Sequence, residues 1–570
     1  MVHQINDDYI KNELPLEIPA KRGFSLSYKG KVLLSKIDPV NQAERLVQNL
    51  RIRERTLYLC PSPLYGYGLS ALLDRIDSNS AVLCVEADIR LFEIAREAIK
   101  KIFEEKKTGS SNQQILLAIV KPSINAGTGQ EICALVNKTW GERSFQRVEL
   151  VRLNGGWQLF PELYEKIAGF LQKDIAVSWT NAMTMIRLGR LYIRNTIRNL
   201  PLLAKCDNIS SLNFNDAPVL VLGAGPSLDS LLDELSALAG GEIPGPGERS
   251  FRIICVDTCL QALHARRIQP DLVVILESQH WNLRAFSGAK GRNINAAIDL
   301  SALPASAKVL DGKIFLFVTP WTTLKLWKRL EDNGLLPGLL PPLGSVGLST
   351  VALALRISSG PVISGGIDFS YTLDAYHARS TPGHIDMELK QNRLKSIINL
   401  AAFFREGSFP ALSKTGKQVR SDPSLRNYRN LFEQEFGGNT RIFDIGGSGL
   451  PLGLKTILAA EAFEILNSPG KAVPLVSSAP GLKANDLQIA GFVRREINTL
   501  NELKGMLSGE IPIDPVCLEE LLDTADYLWA HFPDCAGAGG RRPQAADISF
   551  LKRVRIEIEP FLRLWEMALR

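Results

Sequence analysis

Apolar residues in this chain gather into short runs that end at polar, glycine- or proline-bearing turns, with amphipathic stretches of helical spacing between them. In the N-terminal part, Arg55–Pro61 and Ala81–Glu86 are strand-like runs separated by the helix-like Leu69–Ile76. Ile89–Ile102 follows as an amphipathic helix and Gln114–Val120 as a third strand. Strands that alternate with helices predict a parallel α/β layer. Residues 166–212 read as a helical connector, where Met183–Leu200 sets Ile186, Tyr192, Ile193 and Ile197 among Arg187, Arg190, Arg194 and Arg198. Arginine is a good helix former, so that basic side reads as a solvated face.

The strand–helix alternation returns from residue 213. Val219–Leu222, Phe251–Val256, Leu272–Glu277 and Ile314–Val318 are apolar runs, Gly347–Ser358 has helical spacing, and Val362–Tyr371 is a last signature. Beyond residue 456 the pattern is helical at Leu500–Leu507, Cys517–Trp529 and Ile548–Leu569. The expected fold is α/β: a smaller Rossmann-like domain at 1–165, a connector at 166–212, a Rossmann-like central domain with a parallel sheet at 213–455, and a helical C-terminal domain at 456–570.

Composition adds exclusions. The chain has 570 residues, 45% hydrophobic and 22% charged, as globular proteins do. Its 66 basic residues nearly balance 60 acidic ones and no long Lys/Arg run occurs, so nucleic acid is not an implied partner. The eight cysteines are scattered without a Cys-x-x-Cys pair, which reads as free thiols rather than a disulfide framework or zinc site. The first residues lack a signal-peptide pattern, and no apolar window approaches the ~20 residues that span a bilayer. A cytoplasmic protein without membrane insertion is expected.

Candidate chemistry concentrates at the strand ends. Gly223-Ala224-Gly225-Pro226-Ser227-Leu228 closes the first central strand. Glycines permit close backbone approach, Pro226 presets a first helical turn, and a helix N-terminus there would face an anion. Leu228 stands where a dinucleotide fingerprint carries its third glycine, which points to a shorter, mononucleotide-sized ligand. Asp257, Glu277 with Ser278, and Asp368 close other strands, at the edge where doubly wound sheets hold ligands. Asp257 and Asp368 also suit capping of the segments that follow them. In the N-terminal layer, Glu86 ends the second strand as a ribose-binding acid would, while Pro63, Tyr65 and Tyr67 in the preceding turn favour a structural layer over a working cofactor site.

The Gly223–Leu228 turn, the Ile268-Gln269-Pro270-Asp271 strand entry and the segment from Gly344-Ser345-Val346 to His377 resemble the central domain of the motility accessory factors. These are flagellin glycosyltransferases that share a superfamily with archaeal 6-hydroxymethylpterin diphosphokinases. The same segments resemble bacterial sialyltransferases that use CMP-sialic acid. Ser35–Pro39, Glu44–Leu46 and Asp422–Gly447 extend the likeness over roughly residues 25–455 in the family's order.

The resemblance implies transfer of a sialic-, pseudaminic- or legionaminic-type nonulosonic acid from a CMP-activated donor to a Ser or Thr of flagellin. It implies that backbone N–H groups at Gly223, Gly225, Pro226 and Ser227 bind the donor phosphate. Asp257, Glu277, Ser278, Ser345 and Asp368 then frame the nucleotide, and Tyr371 and Tyr376 contact the departing phosphate. His377 or His384 deprotonates the acceptor. The sequence departs from the sialyltransferase pattern at Ala224, where those enzymes carry Asn. Their general-base histidine also lies farther downstream than His377, which leaves His384 open. No cofactor is implied; the acidic strand ends could hold Mg²⁺, but the sialyltransferases need none. Competing readings are an ATP-dependent pterin pyrophosphokinase and a nucleotide-binding chaperone or scaffold.

Overall fold

A computed structural model describes residues 14–106, 114–121, 126–141, 144–321, 324–373, 375–397, 405–468, 484–533, 535 and 547–570. The chain divides into two compact units, one of Met1–Gly189 with Trp529–Gln544, the other of Arg190–Leu528 with Ala545–Arg570.

In the first unit, strands β1 (Thr56–Pro61), β2 (Ala81–Glu86), β3 (Ile115–Ile119) and β4 (Arg147–Leu150) pair in parallel in the order β3-β2-β1-β4. β1 and β2 are buried at every residue, because helices α1 (Ile89–Lys106), α2 (Ala126–Trp140) and α3 (Pro161–Thr184) alternate with the strands. Three short antiparallel strands, Leu16–Pro19, Phe24–Tyr28 and Lys31–Val32, precede this layer. Glu86 is wholly buried and its carboxylate is consumed locally. It accepts from Ser62 Oγ at 2.7 Å and from the Ala87 and Asp88 backbone N–H groups at 2.8 and 3.1 Å. The acid is thus a structural clasp on the β1 turn.

The second unit is built on a ten-stranded sheet. Its main path is formed by β5 (Val219–Leu222), β6 (Arg252–Val256), β7 (Leu272–Ile275), β8 (Ala296–Asp299), β9 (Ile314–Val318), β10 (Gly338–Leu339), β11 (Val362–Gly365), β12 (Ile442–Ile445) and β13 (Lys455–Ile457). They lie side by side as β10-β9-β8-β7-β6-β5-β11-β12-β13 and every neighbouring pair is parallel. The chain winds outward from β5 to β10, then returns to the other side of β5 as β11. The order therefore reverses between β5 and β11, and ligand crevices form at such a switch point.

Helix α4 (Arg190–Asn199) opens this unit; α5 (Leu228–Leu238) follows β5, α6 (Lys325–Asp332) follows β9, and α7 (Val346–Ile357) lies across β5, β6, β7 and β11. Leu348, Val351, Ala354 and Ile357 of α7 join Val219, Val221, Ile254 and Val274 of the sheet in one apolar cluster. α8 (Pro382–Lys390) and α9 (Pro423–Phe436) come next in the chain.

Of the late helical segments α10 (Asp486–Ser508), α11 (Pro515–Thr524) and α12 (Ile548–Ala568), α11 and α12 each pack on α10, with α11 also against α6. The guanidinium of Arg329 on α6 forks onto Glu496 of α10 at 2.8 and 3.0 Å, and Tyr527 Oη donates to the same carboxylate at 3.1 Å. Trp565 Nε1 of α12 donates in turn to Tyr527 Oη at 3.2 Å. A buried, bidentate pair of this kind fixes register as much as it stabilises. None of the described helices is long and apolar enough to cross a membrane.

Candidate functional site

The register brings the sequence-derived residues to one edge of the sheet. Leu222 pairs with Cys255 on one side and Gly365 on the other, so Ala224, Asp257 and Ile367 each lie two residues beyond that rung. Val256 pairs with Val274, which carries Glu277 and Ser278 past the end of β7 at the same edge.

At the β5 turn the geometry corrects the expectation. The helix starts at Leu228 with Ser227 as its N-cap, so Pro226 precedes the helix instead of opening it. Gly225 N–H donates to Gly366 O at 2.8 Å, and Leu228 N–H to Gly225 O at 3.1 Å. Ser227 N–H and Oγ both donate to the Asp368 carboxylate, at 2.7 and 2.5 Å. Pro226 has no N–H. Asp368, 3% exposed, thus occupies the place at the α5 N-terminus where a phosphate was expected. The glycines serve the same interlock. A Cβ on Gly223 would stand 2.5 Å from the Gly366 carbonyl oxygen, and one on Gly225 would stand 2.5 Å from Asp368 Oδ2. Gly223, Gly225, Pro226, Ser227 and Asp368 therefore join β5 to β11 and do not present a cradle.

Near Asp368 lies a second buried cluster, in which Asp444 Oδ1 is paired and Oδ2 is not. Lys414 Nζ donates to Asp444 Oδ1 at 2.7 Å, each side chain 1% exposed, and Ser364 Oγ donates to the same oxygen at 3.1 Å. Burial lifts the Asp444 carboxyl to about 6 against the opposing pull of Lys414.

The ends of β6 and β7 are different. Asp257 is 2% exposed and its Oδ1 accepts from Thr258 N–H at 2.8 Å, while Oδ2 has no hydrogen-bond partner. Two more buried atoms there are unsatisfied: Ser278 Oγ and Gln261 Oε1. Burial raises the Asp257 carboxyl to about 6, opposed by the Thr258 N–H and the neighbouring Asn282 amide and reinforced by the charge of Glu277. Buried polar atoms are nearly always paired, so these atoms suit partners that a ligand would supply. By contrast, Asp299 at the end of β8 is saturated by Ser301 and Thr319, each through N–H and hydroxyl at 2.5–2.7 Å.

Ser345 sits at the N-cap of α7 with extended backbone and makes no side-chain cap bond. Tyr428 of α9 adjoins Gly344, with its ring edge 3.3 Å from the position of a Cβ there. Tyr192 of α4, whose phenol is pushed up to about 12 by burial and by Glu277, stacks edge-on with Trp321 at 4.7 Å.

Of the two histidines, His377 is tied to the β5 turn. Its Nδ1 lies 3.3 Å from Ala224 O, and Ala378 N–H donates to the same carbonyl at 3.0 Å. With the carbonyl holding Nδ1–H, Nε2 carries the lone pair. Burial pushes this imidazole below its ordinary value, so it is neutral at pH 7. Tyr376 packs edge-on against His377 at 4.7 Å, and the Arg405 guanidinium lies 5.2 Å from the Tyr376 ring centre. His384 stands on α8, 7% exposed, with Glu388 3.5 Å from its Nδ1. Tyr371 is 1% exposed, its backbone pairs with Arg420, and its ring centre lies 5.1 Å from that of Tyr376.

Asn282 and Gln261 were not singled out from sequence, and Tyr192 reads there only as part of a helix pattern. Asn282 falls seven residues beyond the end of β7, in a 3₁₀ turn that carries no periodic signal. His280 and Trp281 are exposed, with Trp281 at 58%.

Residues 194–374 match the family described as 6-hydroxymethylpterin diphosphokinase MptE-like. An uncharacterized protein of Treponema pallidum (strain Nichols) is 28% identical over 575 aligned positions, covering 96% of this chain and 95% of its own. The solved structure of a Maf glycosyltransferase from Magnetospirillum magneticum AMB-1 shares the fold with a TM-score of 0.54 at 14% identity, over 97% of this chain and 92% of that one.

Proposed function

We propose that this chain, whose central segment is an MptE-like domain within a Maf-type fold, is a glycosyltransferase. In this reading it moves a nonulosonic acid from a CMP-activated donor to a Ser or Thr hydroxyl of a protein acceptor, flagellin. The observation that carries the reading is the unpartnered Asp257 Oδ2 beside the unpartnered Ser278 Oγ, buried at the strand ends next to the switch point. An acceptor oxygen there suits a ribose hydroxyl or a base amine. Glu277 adds a second acceptor on the same side.

The N-terminus of α7 at Ser345 takes the donor phosphate in place of the filled α5 terminus, holding charge as it builds on the leaving CMP. His377 Nε2 accepts the proton of the acceptor hydroxyl as its oxygen bonds to the anomeric carbon and the bond to the CMP phosphate oxygen breaks. Tyr376 lines the phosphate side. The reading uses no resident metal and places the protein in the cytoplasm with its acceptor.

Ligand-dependent melting separates this from the ATP-dependent pyrophosphokinase reading, because a ligand that binds only the folded state raises the transition. CMP without Mg²⁺ is expected to raise the melting temperature. A rise with ATP and Mg²⁺ and none with CMP would overturn the assignment.

A further inference from the structure

The arginine-bearing helix α4 has a second face that the donor site rests on. Asn195 and Asn199 are four residues apart, hence on one side of the helix, and each is 2% exposed. Each side-chain amide bridges two carbonyls. Asn195 Nδ2 donates to Ser278 O at 3.0 Å and Ser301 O at 3.1 Å. Asn199 Nδ2 donates to Leu300 O and Ala302 O, both at 2.9 Å. These carbonyls follow the ends of β7 and β8, where no strand partner remains to satisfy them.

The rest of that lip is sewn to itself. Leu303 N–H donates to Glu277 O at 2.9 Å, and Gln279 N–H donates to Glu277 Oε1 at 2.8 Å. Ser278 is then held through its carbonyl by Asn195 while its hydroxyl stays unpartnered. The backbone orientation that aims Ser278 Oγ is therefore set by an amide on α4.

We infer that Asn195 is a positioning residue for the nucleotide, acting through Ser278 and the neighbouring Glu277. This rests on the donor site proposed above. Asparagine fits the task because one amide nitrogen supplies two hydrogens to two carbonyl oxygens. An aspartate would set negative charge against both. Asn199 clamps the next loop, which carries none of the proposed nucleotide contacts, and so serves as an internal control.

The test compares Asn195→Ala, Asn195→Ser and Asn199→Ala in the full chain. CMP is the titrant, and hydrogen exchange of residues 276–282 is followed without ligand. Asn195→Ala is expected to speed exchange in that segment and to weaken CMP binding roughly tenfold, about the worth of one hydrogen bond. In transfer assays KM for the donor should rise while kcat stays within about twofold. Asn195→Ser, with a shorter donor, is expected to fall between Asn195→Ala and the parent, and it carries the test should Asn195→Ala not fold. Asn199→Ala is expected to keep the parent's affinity for CMP. Unchanged CMP affinity in Asn195→Ala and Asn195→Ser, or an equal loss in Asn199→Ala, would overturn the inference. If the parent itself fails to bind CMP, the functional reading falls; exchange at 276–282 unaltered in Asn195→Ala would separately remove the clamp.

Discussion

Asp257→Asn is expected to lose CMP binding by roughly 10- to 100-fold, the range for a hydrogen bond to a charged group, while the protein becomes more resistant to heat. The two effects have one cause. Asp257 is 2% exposed with one oxygen unpaired, and burial lifts its carboxyl from 3.8 to about 6. A carboxyl that holds its proton more tightly folded than unfolded costs the fold stability once it ionises. That cost is absent below about pH 4, grows as the pH rises through about 6, and is constant above. At neutral pH it is on the order of 3 kcal/mol, from the shift at 1.36 kcal/mol per unit. Asparagine removes the charge and keeps the shape. The melting advantage of Asp257→Asn over the parent should be largest near pH 7.5 and shrink as the pH falls toward 4. Scans of both proteins across that range measure it. A variant that melts lower than the parent and retains CMP affinity would make Asp257 a plain cap on the Thr258 turn.

His377→Ala is expected to lower kcat by about 10²- to 10⁴-fold, the usual worth of a general base, with CMP affinity nearly unchanged. His384→Ala should leave turnover near that of the parent, because His384 is held in α8 beside Glu388 while only His377 touches the β5 turn. Burial lowers the His377 imidazole from 6.5, so the neutral, proton-accepting form persists below that pH. Parent activity should therefore hold on acidification past 6.5 and fall only further down, and this limb should vanish from the residual rate of His377→Ala. A larger loss in His384→Ala than in His377→Ala would move the base to α8.

Much of this was legible in the sequence, and the parts that were not share a cause. The alternation of apolar runs and amphipathic stretches marks the parallel sheet because both faces of its strands are covered. Asp257, Glu277 and Ser278 stand out because polar residues break apolar runs where strands leave the sheet. The Gly223–Leu228 turn misled for a reason no local pattern holds. Its partner, Asp368, lies 141 residues away and fills the helix end with the protein's own anion. Glu86 reads as part of a structural layer more than as a ribose ligand, and its bonds to the Ser62 hydroxyl and its own backbone agree with that. Asn195, Asn199 and Asn282 were silent because a buried amide has no periodicity and its value lies in which carbonyls or carboxylates surround it. The N-terminus of α7 at Ser345 gained weight only when the α5 terminus proved closed.

The most direct measurement is the intact mass of flagellin incubated with the purified chain and a CMP-nonulosonic acid, alongside the same incubation with Asp257→Asn. Addition of one or more nonulosonic acid residues by the parent and little or none by Asp257→Asn is the expected result. No mass added by the parent, together with ATP-dependent pyrophosphorylation of a hydroxymethylpterin, would contradict it.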